Sequence, residues 1–233
     1  SAICPSIPPP IPVRPTTLSP IALAVMIGMY FAVVVFTKEF DVIDACYLIG
    51  VTLLLALGFQ SVLAVRYLPF EHFMESKMNV DINANAFKYG QSMFLEIYLL
   101  IAIFFNDIGA YLTGMLFGKH QMAPHVSPRK TWEGFAGGVT LSFLCSIAFA
   151  LSIAHCGLPM LPIFTIDHWY WILLVSFILP FIGVLGDLAF STIKRQFGKK
   201  DYSKVLGPHG GVLDRIDSTL FGALALVVLV IFI

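Results

Sequence analysis

Trp169–Asp187 reads WYWILLVSFILPFIGVLGD, and shortly after it Ser191–Ser218 reads STIKRQFGKKDYSKVLGPHGGVLDRIDS. The first stretch is apolar over nearly the length that a bilayer-crossing helix needs, about 20 residues. Its one carboxylate, Asp187, stands at the very end. The second stretch is a polar island carrying six of the chain's fourteen basic residues: Lys194, Arg195, Lys199, Lys200, Lys204 and Arg215. They are interleaved with Asp201, Asp214 and Asp217 around a turn-rich Gly207–Gly211 segment, and the whole island reads as one loop leading into a helix near Val212. Mixed charge of this density at a membrane edge calls for a ligand or a water-filled cavity. The expected fold class is therefore all-α: a polytopic integral membrane helix bundle with a polar cavity facing the cytoplasm.

Composition extends this reading to the whole chain. Of 233 residues, 58% are hydrophobic and 12% charged, against about 45–50% apolar and about 25% charged in soluble domains. Further apolar runs at about 20–36, 42–65, 92–118, 135–154 and 219–233 bring the expected number of spans to six. Residues 66–91 read as a polar loop with a short interfacial helix. Residues 1–20 hold seven of the fourteen prolines, a density that no helix survives. The expected organisation is a proline-rich disordered arm at 1–19, membrane helices and a loop at 20–91, and a catalytic membrane domain at 92–233. The arm lacks the basic start and cleavage pattern of a signal peptide. The chain opens on Ser1 rather than Met, so a trimmed start is expected. Cys4, Cys46, Cys145 and Cys156 show neither metal nor redox spacing and read as buried small hydrophobes.

Net charge is zero, so its distribution carries the information, and no nucleic-acid partner is expected. The loop at 119–130 holds Lys119, Arg129 and Lys130; with the six of the island this makes nine of the fourteen basic residues. Two spans separate the loops, which puts both on one face, and the positive-inside rule makes that face cytoplasmic. Residues 155–168 then lie outside, and Trp169, Tyr170 and Trp171 occupy the place of an interfacial aromatic belt.

Several residues invite chemistry. On a helix, Asp214 and Asp217 share a face, and two carboxylates at the membrane edge suit a hard divalent cation such as Mg²⁺. The bland alternative is a pair of solvated carboxylates favoured by a helix N-terminus. Asp187, at the same depth, together with Lys194 and Arg195, favours a phosphate-and-metal site. His209-Gly210-Gly211 precedes the Asp214 helix and can present backbone N–H groups to an anion, or serve only as a turn. In Ser127–Gly134, SPRKTWEG, either Ser127 or Thr131 can cap a helix whose first turn holds Glu133. Arg129 and Lys130 there read either as topology-setting charges or as a phosphate clamp. Asn106-Asp107 lies inside a span, where an ionisable group is expected to face a cavity. Glu96, placed near the outer interface, is expected to have no function. Gly109, Gly114, Gly137 and Gly138 read as helix-packing positions.

The ordered pattern Ser191-x-x-Lys194-Arg195, Lys200-Asp201, Gly207-x-His209-Gly210-Gly211-x-x-Asp214-Arg215-x-Asp217 resembles the signature of the phosphatidate cytidylyltransferase family. SPRKTWEG and Asn106-Asp107-x-x-Ala110-Tyr111 are similar to that family's upstream blocks, so the likeness covers roughly Asn106 to Ser218. Family members carry more than six spans, which implies truncation at one or both ends. The resemblance implies condensation of CTP with phosphatidic acid to CDP-diacylglycerol and pyrophosphate. It implies Mg²⁺, with room for a second, monovalent cation, and a homodimer in the bilayer of a bacterial inner membrane with its active site on the cytoplasmic side. Carried onto this chain, Asp187, Asp214 and Asp217 would hold metal, and they form the catalytic set with Lys194 and Arg195. Ser127, Arg129, Lys130, Lys200, Asp201, His209, Gly210, Gly211, Arg215, Asn106 and Asp107 would bind substrate. Two rivals remain: a CTP-dependent kinase acting on a polyprenol or phytol, which releases CDP, and a transporter whose basic loops only set topology.

Overall fold

The computed structural model describes residues 20–37, 41–75, 84–157, 160–161, 164, 168–196, 198 and 213–232. Residues 20, 67–75, 84–92, 214 and 215 are described by backbone alone, and the expected arm at 1–19 lies outside the described residues. Among the described residues there are six α-helices: α1 (Pro20–Phe36), α2 (Val42–Glu75), α3 (Ala84–Phe117), α4 (Trp132–His155), α5 (Trp169–Gln196) and α6 (Leu213–Phe232). Between α3 and α4 lies an antiparallel hairpin of β1 (Gln121–Ala123) and β2 (Ser127–Thr131), with Gln121 opposite Thr131 and Ala123 opposite Ser127.

Four segments are long and apolar enough to cross a membrane: Val42–Arg66, Met93–Phe117, Trp132–His155 and Trp169–Gln196. The apolar parts of α1 and α6, Ile21–Phe36 and Ile216–Phe232, are shorter. Leu144, Leu185 and Phe177 present half or more of their surface outward, an arrangement suited to lipid and costly in water. This is an integral membrane helical protein.

The chain divides within α2 into two compact units, Ser1–Ala56 and Leu57–Ile233. In the first, the Tyr30 and Thr52 hydroxyls meet at 3.0 Å between α1 and α2. The second holds the main core, built from Leu95, Tyr98 and Leu99 of α3, Ile172, Val175 and Leu179 of α5, and Ala223 and Leu226 of α6. Several buried hydroxyls are paired, as a medium without water favours. Tyr98 and Ser176 hydroxyls meet at 2.7 Å, and Ser142 Oγ donates to the Ala102 carbonyl at 2.5 Å.

Helices α3 and α4 touch backbone to backbone. A Cβ on Gly109 would lie 2.9 Å from the Gly138 Cα, and one on Gly138 only 2.6 Å from the Asn106 carbonyl oxygen. Small residues permit this approach, which dispersion rewards in a bilayer. The packing role expected for these glycines is what the structure contains.

Two expectations change. The 66–91 loop is narrower than expected, because α2 runs on to Glu75 and α3 starts at Ala84; segments with Glu71, Met74, Ala84 and Ala86 support helix beyond the bilayer. Cys46 and Cys156 are exposed free thiols rather than buried ones, and Cys145 is half-buried and free. In a membrane protein an apolar run can face lipid as well as core. Glu96, for which no function is expected, makes a half-exposed pair with Arg66 at 3.2 Å, a contact of the kind that contributes little.

Candidate active site at one end of the bundle

Lys194 and Arg195 are not in a loop; they form the last turn of α5, which continues more than two turns past Asp187. Continuing the helix places Asp187, Ser191 and Lys194 on one face, at spacings of four and three. Ser191 Oγ donates to Asp187 Oδ1 at 3.3 Å, and the other carboxylate oxygen, Oδ2, takes the Lys130 ammonium at 2.5 Å. Both partners are about three-quarters withdrawn from solvent, so this pair is less screened than a surface one.

Lys130 and Arg129 arrive on β2, which is anchored on three sides. Thr131 caps α4, its Oγ1 accepting from Gly134 N at 3.1 Å; Ser127 lies in β2 instead. Glu133 reaches backward, its Oε2 accepting from the Lys119 and His120 backbone N–H groups at 3.2 Å each, while its Oε1 meets His120 Nδ1 at 2.6 Å. Arg195 Nε donates to the Val126 carbonyl at 3.0 Å. The hairpin and the end of α5 thus sit together, as the shared face expected for the two basic loops requires. Removing the cap in Thr131→Ala should cost about 1 kcal/mol and lower the unfolding midpoint of the detergent-solubilised protein by a few degrees.

The start of α6 supplies the other acid. Asp217 is 4% exposed, and its Oδ1 accepts from Ser218 N at 2.7 Å and Ser218 Oγ at 3.3 Å, leaving Oδ2 for a ligand. One turn on, Phe221 packs where Gly186 has no side chain, and its ring meets Phe190 edge-on at 5.6 Å. That close approach brings Asp217 within electrostatic reach of Asp187 and of Lys194. Asp107 is likewise within electrostatic reach of Asp187, which repels its charge, and of Lys130, which attracts it.

Beside Lys130 opens a cavity of about 210 Å³. Asn106 and Asp107 of α3, Arg129 and Lys130 of β2, Phe135 of α4 and Val184 of α5 all line it. Asn106 is 2% exposed, and its Oδ1 has no hydrogen-bond partner among the described residues.

Of the residues singled out in the sequence, Asp187, Lys130, Lys194, Asp217 and Asp107 are brought together. Arg195 and Ser127 support the same corner. Asp214 and Arg215 occupy the first turn of α6, Asp214 one turn before Asp217, and are described by backbone only. Lys200, Asp201, His209, Gly210 and Gly211 lie outside the described residues. Among the described residues no group of three or more His, Cys, Asp or Glu gathers closely enough to hold a metal. Asp187 and Asp217 offer carboxylate oxygens, the ligand type that Mg²⁺ prefers, although both oxygens of Asp187 are engaged here by Ser191 and Lys130. Sequence reasoning passed over Glu133 as an ordinary first-turn acid; its position two residues after the capping Thr131 was the available signal.

Comparison with known proteins bears directly on this site. The model of the family described as "Cytidylyltransferase family" matches residues 11–233. The chain belongs to the cytidylyltransferase family. It is similar to a protein named phosphatidate cytidylyltransferase from Staphylococcus haemolyticus (strain JCSC1435), with 41% identity over 125 residues, 54% of this chain and 44% of that one. A protein of the same name from Staphylococcus aureus (strain COL) is 42% identical over 126 residues, again 54% and 44%. One from Bacillus subtilis (strain 168) is 36% identical over 152 residues, 65% of this chain and 49% of that one. The matched stretch of this cytidylyltransferase-family chain spans about half the length of the curated relatives it matches.

Proposed function

We propose that the chain carries the catalytic end of a phosphatidate cytidylyltransferase, joining CTP to phosphatidic acid to give CDP-diacylglycerol and pyrophosphate. The observation that carries this reading is the Lys130–Asp187 pair facing the buried Asp217 at one end of the bundle, in a family whose matched members bear that name.

The reaction brings two polyanions together, so charge compensation is the main demand on the protein. Lys130, Lys194 and Arg195, with Arg129 and Arg215, would grip the phosphates; Ser127, Lys200, Asp201 and the His209-Gly210-Gly211 turn complete the proposed substrate contacts. A phosphatidate oxygen attacks the α-phosphorus of CTP in line, the bond from that phosphorus to the bridging oxygen breaks, and pyrophosphate leaves with the electron pair. No side chain needs to act as nucleophile; alignment of the two substrates supplies much of the acceleration. Asp187, Asp214 and Asp217 would hold Mg²⁺, with room for a monovalent cation beside it. The bound ion would neutralise the triphosphate and stabilise charge developing on the leaving group. The same reading puts the site at the cytoplasmic headgroup plane of a bacterial inner membrane, where a lipid and a soluble nucleotide can meet, and includes a homodimer.

The test is incubation of purified protein with α-labelled CTP, phosphatidic acid and Mg²⁺. Equal yields of CDP-lipid and pyrophosphate are expected, with both lost in EDTA and restored by Mg²⁺. Release of CDP together with a newly phosphorylated lipid would identify a kinase instead, and no consumption of CTP would end the enzymatic reading.

A further inference from the structure

We propose that Glu133 is a positioning residue for the reaction: its carboxylate ties the root of the hairpin to α4, and that tie decides which way Arg129 and Lys130 face. The kinetic side of this rests on the phosphatidate cytidylyltransferase reading above; the geometry does not.

The hairpin is irregular where its charges sit. Gln121 pairs with Thr131 and Ala123 with Ser127, so one residue, Met122, stands opposite three, Pro128, Arg129 and Lys130. The extra residues on β2 make a bulge, the device by which a strand re-aims its side chains. Pro128, with no N–H to give to a ladder, suits such a position. On a regular strand, neighbouring side chains point to opposite faces. Here Arg129 and Lys130 both line the same cavity, and Lys130 reaches Asp187 of α5. The aim of the bulge therefore depends on how the strand pair is held.

Glu133 does the holding at the root. It stands in the first turn of α4, and its Oε2 accepts from the backbone N–H groups of Lys119 and His120, where the chain enters β1, at 3.2 Å each. Next to this tie, Trp132 N donates to the His120 carbonyl at 3.0 Å. Loss of the carboxylate oxygen leaves the Trp132 bond as a pivot about which the hairpin can turn. The two freed N–H groups belong to exposed residues, so water can take the acceptor's place and little stability is lost. What water cannot replace is the direction of the arm. The tie needs reach rather than charge: an amide oxygen accepts as a carboxylate oxygen does, whereas a shorter side chain falls short of the strand. That separates Glu133 from Asp187 and Asp217, whose proposed work needs the anion.

The experiment compares Glu133→Gln, which keeps the reach and loses the charge, with Glu133→Asp, which keeps the charge and loses the reach, in the full chain in nanodiscs. Lys130 is followed by pulse labelling with an amine-acetylating reagent and peptide mass spectrometry. Turnover is followed with CTP and phosphatidic acid, and the unfolding midpoint is read alongside. In Glu133→Asp, Lys130 should label several-fold faster than in the wild type. Turnover should fall roughly a hundredfold, the loss that a displacement of about 1 Å can bring, while the midpoint stays near that of the wild type. Glu133→Gln should match the wild type in all three. The reverse order, with Glu133→Asp active and Glu133→Gln impaired, overturns the proposal by making the charge the working part. Unchanged Lys130 labelling in Glu133→Asp overturns it too, as does a loss of turnover that only follows a lowered midpoint. Should Glu133→Asp not accumulate, Glu133→Ala takes its place with the same expectations. If the wild type forms no CDP-lipid, the parent reading fails, and the labelling by itself still decides the tie.

Discussion

Asp187→Asn should lower the rate of the proposed CDP-diacylglycerol formation on the order of a thousandfold while leaving a folded, membrane-inserted protein. The substitution keeps shape and removes charge at the point where three elements converge. Asp187 Oδ2 holds Lys130 of β2, Oδ1 accepts from Ser191 on its own helix, and its charge reaches Asp217 of α6. An amide can keep the Ser191 contact, so α5 should not unwind. It cannot balance Lys130 or serve as an anionic ligand, and both losses fall on groups that must be fixed before the phosphates meet. Removal of a single preorganised electrostatic group commonly costs a hundred- to a thousandfold, and this group supports two others. Asp217→Asn should do comparable damage, since the Ser218 bonds occupy one oxygen and leave the charge to a ligand. The effects should not add: in a group that works as a unit, the double variant is little worse than either single one. The check is the initial rate of each variant beside its elution profile and helical circular dichroism. Residual activity near wild type in purified Asp217→Asn would remove the proposed metal role.

The largest effect on folding should come from Gly138→Leu. A Cβ there falls 2.6 Å from the Asn106 carbonyl, and backbone cannot swing aside as a side chain can. Even Gly138→Ala should cost about 1–3 kcal/mol, the usual scale of overpacking; the leucine should prevent accumulation of folded protein. The matched control is Gly50→Ala, where nothing stands within 4 Å of the added atom. There the change should be neutral or stabilise by up to about 1 kcal/mol, because alanine is the better helix former. Unfolding midpoints in detergent, read for all three, separate close contact from propensity. Equal behaviour of Gly138→Ala and Gly50→Ala would show that α3 and α4 do not meet backbone to backbone.

How much of this could be read from residues alone differs by element. The helices were legible because a bilayer imposes long apolar runs, and α3, α4 and α5 each advertise one. The end of α5 was not, because Ser191–Gln196 is polar and composition alone cannot tell a helix leaving the membrane from a loop. The hairpin escaped for a related reason: strands of three and five residues, one containing Pro128, are too short to show an alternating pattern. Lys130 and Asp187 were each picked out, yet their 57-residue separation hid that they pair. The orphaned oxygen of Asn106 exists only once α4 has closed over it. Exposure of Cys46 was missed because hydrophobicity does not distinguish a lipid-facing position from a buried one, and that of Cys156 because it follows the last residue of α4.

The α3–α4 contact has a consequence for motion. Where main chain rests on main chain there are no rotamers to exchange, so that wall of the cavity cannot reshape itself around an incoming molecule. Adjustment therefore falls to the hairpin and to α5, whose Val184 lines the cavity and whose Phe190 ring meets Phe221 of α6. Amide hydrogens along Asn106–Thr113 and Gly134–Leu141 should accordingly exchange most slowly near the site, and ligand should slow chiefly those of Asp187–Arg195 and Ile216–Phe221.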